Sequence, residues 1–147
     1  MRKPLALGIA TLALTLSLGL AACGSSDDDS LSNEELITQA DAICTDYNDQ
    51  LVELLNETGL NDQSSQAEVV DFASNEIVPL YEDQVEERRG LEPNEDDAAA
   101  FTDIIDTLES EVQAVKDDPE SAVTNDDPFA GATAKANEFG LEVCGGN

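Results

Sequence analysis

The first apolar stripe of the chain lies between residues 36 and 55, where apolar side chains recur at spacings of three and four. This period places them on one face of an α-helix. Ser32 and, three residues later, Glu35 form the sequence signature of a capping box, so the helix is predicted to begin at Ser32. It is predicted to end at Gly59, because glycine readily adopts the left-handed conformation that closes a helix. The stripe consists of Leu36, Ala40, Cys44, Tyr47, Leu51 and Leu54.

A second helix is predicted after the polar loop that follows. Ser65 and Glu68 repeat the capping-box pattern, and apolar residues then recur at helical spacing. Pro79 interrupts this pattern, because proline lacks a backbone N–H and disfavours helical backbone in the residue before it. We therefore expect a kink or short break at Val78–Pro79, after which the helix resumes as far as Arg89.

The third helix is predicted to run from Asn94, which is a favourable N-cap, to the neighbourhood of Lys116. Its apolar residues alternate spacings of three and four throughout. A loop follows. The fourth helix is predicted to start at Asp127 with Pro128 in its first position, and to end at Gly140.

No segment alternates apolar and polar residues with the period of two that a β-strand requires. Four helices joined by linkers of moderate length predict an all-α domain, an antiparallel four-helix bundle over residues 32–147. In an up-down-up-down arrangement the end of the fourth helix returns towards the first.

The N-terminal segment has the three zones of an export signal peptide. Arg2 and Lys3 supply the positive start, residues 5–20 are apolar or small, and Ala21 and Ala22 close the segment. We therefore assign residues 1–22 as a signal peptide. The apolar stretch is nearly long enough to cross a bilayer, so a retained transmembrane anchor is the alternative.

The junction Leu20-Ala21-Ala22-Cys23 resembles the lipobox of bacterial lipoproteins, in which an apolar residue and two small residues precede a cysteine. The resemblance implies a diacylglyceryl group on the thiol of Cys23 and cleavage immediately before this residue. Two acyl chains give stable membrane binding, whereas one chain binds only marginally. The protein is therefore expected on the extracytoplasmic face of the cell membrane, held by an acidic flexible tether at residues 23–31.

Cys44 and Cys144 are the two cysteines that remain once Cys23 carries the lipid. An even pair in an exported chain can persist as a disulfide in an oxidising compartment, so we predict a Cys44–Cys144 disulfide. The alternatives are a free thiol pair and a soft metal site, although two cysteines without histidine make a poor zinc site.

Two segments resemble small helical lipoproteins and secreted proteins of high-GC Gram-positive bacteria. They are Gln39-Ala40-Asp41-Ala42-Ile43-Cys44 and Phe139-Gly140-Leu141-Glu142-Val143-Cys144-Gly145. In that group the two cysteines form a paired framework around a helical domain. The resemblance covers residues 35–145 and implies no activity.

Charge excludes several functions. The chain has 33 Asp and Glu against 6 Lys and Arg, no histidine, and a formal net charge of -27. Such a chain repels a phosphate backbone, which argues against nucleic-acid binding. Histidine-dependent catalysis is excluded. No phosphate-binding loop, dinucleotide motif or EF-hand loop is present in the sequence, so no cofactor is predicted.

Serine–lysine catalysis is one alternative, since Lys116 and Lys135 remain after cleavage, although neither has a distinctive serine nearby in sequence. Carboxylate pairs are the other candidate chemistry. Glu82 with Glu86, and Asp83 with Glu87, lie four residues apart on one predicted helix. They are weak candidates for a divalent cation, which prefers carboxylate oxygens. A chain this acidic produces such pairs by chance, so the favoured interpretation is a solvated acidic face, and no catalytic residue is assigned.

The predicted bundle without a catalytic set favours a non-enzymatic binding or interaction module of the cell envelope, with an envelope protein of unknown identity as its partner. One alternative is an acidic protein that binds divalent cations or acts as a spacer. Another is a carboxylate-dependent cell-envelope enzyme. A buried pair of facing carboxylates would favour the enzyme, whereas acids confined to the surface would favour the module.

Overall fold

The computed structural model describes residues 30–61, 63–125 and 127–146. The predicted signal peptide, the lipidation site Cys23 and all but the last residues of the tether lie outside the described residues. The helices are α1 (Asn33–Thr58), α2 (Gln66–Phe72), a π-helical segment (Ala73–Ile77), α3 (Val78–Arg89), α4 (Glu95–Asp117), α5 (Ser121–Thr124) and α6 (Ala130–Phe139).

The prediction of an all-α fold is confirmed. The described residues form helices and no strand, with one isolated bridge between Leu31 and Pro93. Helix α4 packs against α3 and α6, and α1 packs against α3. Within the ranges described, no helix is long and apolar enough to cross a membrane.

The two ends of α1 are where the sequence predicts them. The Ser32 hydroxyl accepts the backbone N–H of Glu35, and the Glu35 carboxylate accepts the backbone N–H of Ser32, which completes the capping box. Gly59 closes the helix with a φ of 65°, a left-handed conformation that glycine adopts without a steric penalty.

The irregularity near Pro79 differs from the expected break. The backbone stays helical through Val78 and Pro79, and the π-helical segment lies one turn earlier. Pro79 has no N–H to donate to the carbonyl of Asn75, four residues before it. The N–H of Val78 instead bonds the carbonyl of Ala73, five residues earlier, so the helix widens locally without ending.

Helix α4 begins as predicted at Asn94, whose side chain accepts the N–H groups of Asp96 and Asp97. The predicted start of the last helix is wrong. Asp127 accepts the N–H of Phe129 at 3.1 Å and forms a turn, and α6 begins only at Ala130. The Asp117 to Asp126 segment, expected to be a loop, contains the short helix α5.

The first turn of α6 is capped by a residue from another helix. The Glu111 carboxylate of α4 accepts the N–H of Gly131 at 2.9 Å and that of Ala132 at 3.1 Å. A carboxylate at this position is favoured by the positive end of the helix dipole. The contact also fixes α6 against α4.

The core is built around α4. Its buried residues follow the predicted helical stripe, with Ile104 added beside Ile105, and pack against α1, α3 and α6. Leu36 of α1 and Leu141, which follows the left-handed Gly140, are both 0% exposed. The buried side chains of α4 are Phe101, Ile104, Ile105, Leu108, Val112 and Val115.

The C-terminal turn is tied to α1. Cys44 and Cys144 lie at disulfide distance, with their sulfur atoms 2.03 Å apart and their Cα atoms 5.3 Å apart. The pairing is the predicted one. It joins α1 to the turn that follows α6, across a sequence separation of 100 residues.

Candidate binding cavity

A small cavity of about 60 Å³ lies beside the Cys44–Cys144 pair. It is lined by residues of α1, α3, α4 and α6 and of the C-terminal turn, and it is partly open to solvent. Its polar wall is formed by Gln84 and Arg88 of α3, and its aromatic wall by Tyr81 and Phe129. Five separate parts of the fold therefore converge on one space.

Arg88 is the central residue of this cavity. Its side chain is only 5% exposed. One of its terminal nitrogens, Nη2, donates to Oε1 of Gln84 at 2.9 Å and lies 2.6 Å from Sγ of Cys44. The buried Nε has no hydrogen-bond partner among the described residues. Both of these contacts are with neutral groups, and the Nε–H donor has no partner among the described residues.

No carboxylate pairs with Arg88 in the described part of the chain. The next residue, Arg89, behaves differently: it bonds Asp106 at 2.8 Å and Glu109 at 2.7 Å on the surface. Arg88 is also the only charged residue among the described side chains that line the cavity. Although the chain is rich in acids, no acidic side chain among the described residues lines the cavity.

Burial lowers the pKa of Arg88 to about 10, because a charged group loses hydration in the interior. The nearby Tyr81 and Asp41 act in the opposite direction on the pKa of Arg88. The guanidinium is still protonated at neutral pH. The cavity therefore holds one positive charge.

The aromatic wall is a stacked pair. The ring centres of Tyr81 and Phe129 lie 4.3 Å apart with an interplanar angle of 22°. Burial raises the pKa of the Tyr81 hydroxyl, and the positive charge of Arg88 opposes that shift. Tyr81 is therefore a neutral phenol at physiological pH.

The position of Arg88 follows from helix geometry. Tyr81, Gln84 and Arg88 are spaced by three and four residues, so they share one face of α3. That face is turned inward, and Gln84 is 4% exposed. Sequence reasoning missed this site, since arginine is mostly found at the surface. The helical spacing of Arg88 from Tyr81 is the sequence signal that bears on this site, but it does not show that the shared face is buried.

The weak metal candidates are not brought together. Glu82 forms an ion pair with Lys116, and Glu87 accepts a hydrogen bond from Tyr47. Glu82, Asp83, Glu86 and Glu87 are all exposed. Across the ranges that the structure describes, no three acidic or cysteine side chains converge as a metal site would require.

No protein-family model matches this chain, and no curated protein or solved structure is detectably similar to it. The function proposed below is therefore derived from the N-terminal sequence, the cysteine pair and the surroundings of Arg88.

Proposed function

We propose that the protein is a lipid-anchored, non-catalytic binding module on the extracytoplasmic face of a bacterial cell membrane. The observation that carries this proposal is the juxtaposition of Cys44 and Cys144 at disulfide distance. Disulfides persist in oxidising compartments outside the cytoplasm. This pairing leaves Cys23 as the cysteine available for the lipid that the lipobox resemblance implies.

Residues 1–22 are proposed to be removed as a signal peptide, and residues 23–31 to connect the lipid to the folded domain. A tether of nine residues reaches at most about 30 Å when fully extended. Asp27, Asp28 and Asp29 favour an extended tether, because an anionic lipid surface repels them. The domain would then lie close to the membrane without being embedded in it.

The domain is proposed to be an antiparallel four-helix bundle of α1, the run from α2 to α3, α4 and α6. The packing of α1 on α3, of α3 on α4 and of α4 on α6 supports this arrangement. The Cys44–Cys144 pair supports it too, because it requires the chain end after α6 to return to α1.

The placement of the acids supports a module over a carboxylate-dependent enzyme. Every described Asp and Glu is exposed or half-buried. Three of the four half-buried acids have structural partners: Asp41 binds the C-terminal turn, Asp97 binds Asn94, and Glu111 caps α6. A pair of carboxylates in different environments, which acid–base chemistry needs, is not found among the described residues.

The anchor is tested by mass spectrometry of the protein purified from bacterial membranes. The expected N-terminal fragment begins at Cys23 and carries a diacylglyceryl group. A Cys23→Ala variant should lose both the lipid and its membrane association. A Cys44→Ala variant is the matched control and should stay in the membrane fraction. An intact leader or an unmodified Cys23 thiol would contradict the proposal.

A further inference from the structure

We propose that the cavity around Arg88 is a binding site for the carboxylate group of a small monovalent organic acid. This inference rests on the proposed function as a binding module and names the class of ligand. The N-terminal anchor does not contribute to it.

The first argument is the unpaired charge. Buried charges in proteins are paired with an opposite charge, because the interior does not replace the lost hydration. Arg88 is 5% exposed and has no carboxylate partner among the described residues. Acids are abundant in this chain, and the adjacent Arg89 binds two of them. Asp41 acts on Arg88 without bonding it, and its oxygens accept N–H groups of the C-terminal turn, so a directly bonded counter-charge is left for a ligand to supply.

The second argument is the free donor. The Nε–H of Arg88 is buried and unpartnered, while Gln84 holds the other side of the guanidinium in place. Buried polar atoms are nearly always hydrogen-bonded, and a charge-assisted bond to a carboxylate oxygen is among the strongest available. Gln84 fixes the guanidinium that lines the cavity before a ligand arrives, which reduces the entropy lost on binding.

The third argument is the size of the cavity. Its volume is about 60 Å³. One buried water needs about 10–15 Å³ of such space, so the cavity accommodates roughly four water-sized groups. That matches an acid of three to five non-hydrogen atoms, such as formate, acetate or propionate.

The fourth argument is the character of the walls. Leu108, Ala132 and Val143 contribute hydrocarbon surface to a lining that is otherwise mostly polar. A short alkyl chain attached to a carboxylate satisfies both surfaces. A dianion such as phosphate would keep one negative charge that Arg88 does not neutralise, in a chain whose net charge is already -27.

The test is an acetate titration of the full, lipid-anchored chain in non-ionic detergent. Backbone and methyl NMR signals are followed at constant sodium concentration, with chloride as the replacement anion. Saturable shifts of Ala132 and Val143 are expected. Arg88→Met should weaken acetate binding by about tenfold to a hundredfold, the effect of losing a hydrogen bond to a charged group. Arg89→Met removes the same charge from the surface and should leave the acetate affinity unchanged.

Further measurements define the ligand class, and a second variant is available if the first does not fold. If Arg88→Met does not fold, Arg88→Lys retains the charge without the Nε donor, and its acetate affinity should still fall. Formate, acetate, propionate and butyrate should bind with an optimum at acetate or propionate.

The absence of saturable acetate shifts in the wild-type protein, stronger binding of phosphate, or equal affinity in Arg88→Met would overturn the carboxylate site. Affinity that keeps rising at butyrate would overturn its assignment to a free small acid. Lipidation of Cys23 is measured separately, so these outcomes leave the proposed anchoring untouched.

Discussion

The carboxylate of Asp41 accepts the backbone N–H of Cys144 at 3.1 Å, next to the point where Cys144 meets Cys44. The same carboxylate accepts the N–H groups of Val143 at 3.1 Å and Glu142 at 3.0 Å. Asp41 and Cys44 are three residues apart on α1, so they share one face of that helix. The C-terminal turn is therefore held to α1 by one covalent link and three hydrogen bonds to a single side chain.

Asp41→Asn should lower the free energy of unfolding by about 1–3 kcal/mol, because hydrogen bonds to a charged acceptor are replaced by weaker or missing ones. Urea unfolding of the oxidised protein measures the change. Asp46→Asn removes the same charge from an exposed position of α1 and should have little effect. Equal stability of the two variants would show that the Asp41 contacts contribute nothing specific.

Removal of the disulfide should lower stability by about 2–5 kcal/mol, the usual cost for a small exported domain. Thermal unfolding with and without a phosphine reductant measures it. The lipid proposed for Cys23 would be held by a thioether, so the reductant should act only on Cys44–Cys144. A Cys44→Ser/Cys144→Ser double variant should therefore melt at one temperature under both conditions. A wild-type melting temperature that is the same with and without the reductant would contradict the disulfide.

Local signals in the sequence predict the beginnings of α1, α2 and α4. At Ser32, Ser65 and Asn94 the capping side chain bonds backbone groups two or three residues away, so the whole interaction lies within a few consecutive residues. The start of α6 is different, because its cap Glu111 lies 20 residues away in sequence from Gly131. The four-residue helix α5 was missed since a single turn is too short to display a period.

The cavity could not be predicted for a related reason. The burial of Arg88 depends on packing among α1, α3, α4 and the C-terminal turn, which no local pattern encodes. The sequence predicts Cys44 only as a disulfide partner. In the structure its sulfur also lies against the guanidinium of Arg88. The spacing of Gln84 and Arg88 placed them on one face of α3 without indicating that the face is buried.

Glu111→Gln should destabilise the protein by about 1–3 kcal/mol, because the neutral amide caps α6 more weakly and has only one acceptor oxygen for two N–H groups. Hydrogen exchange at Gly131 and Ala132 should accelerate. Glu53→Gln on the exposed face of α1 is the matched control and should leave exchange in α6 unchanged. Unaltered exchange at Gly131 in Glu111→Gln would contradict the cap.

The two capping boxes should make part of the protein's stability sensitive to acid. Hydrogen bonds from the Ser32 hydroxyl and backbone lower the pKa of Glu35 below its usual value, and Ser65 does the same to the pKa of Glu68. Each carboxylate therefore stabilises the fold fully above its unfolded pKa, and this contribution is lost as pH falls through the lowered folded pKa. Glu35→Gln should be less stable than wild type at pH 7, and the difference should shrink in acid. Urea unfolding at the two pH values measures it, and a difference that grows in acid would contradict the assignment.

Salt should stabilise this protein. With a net charge of -27 and the described acids exposed or half-buried, repulsion among carboxylates opposes the compact state. Ions shorten the range of that repulsion to about 10 Å at 0.1 M. The few surface ion pairs, such as Lys135 with Asp103, lose some attraction, but unpaired acids far outnumber them. The melting temperature should therefore rise between low and moderate sodium chloride. Arg88→Met should show the same rise in melting temperature, because screening acts on the surface. A flat or falling melting temperature of the wild-type protein would mean that carboxylate repulsion does not limit stability.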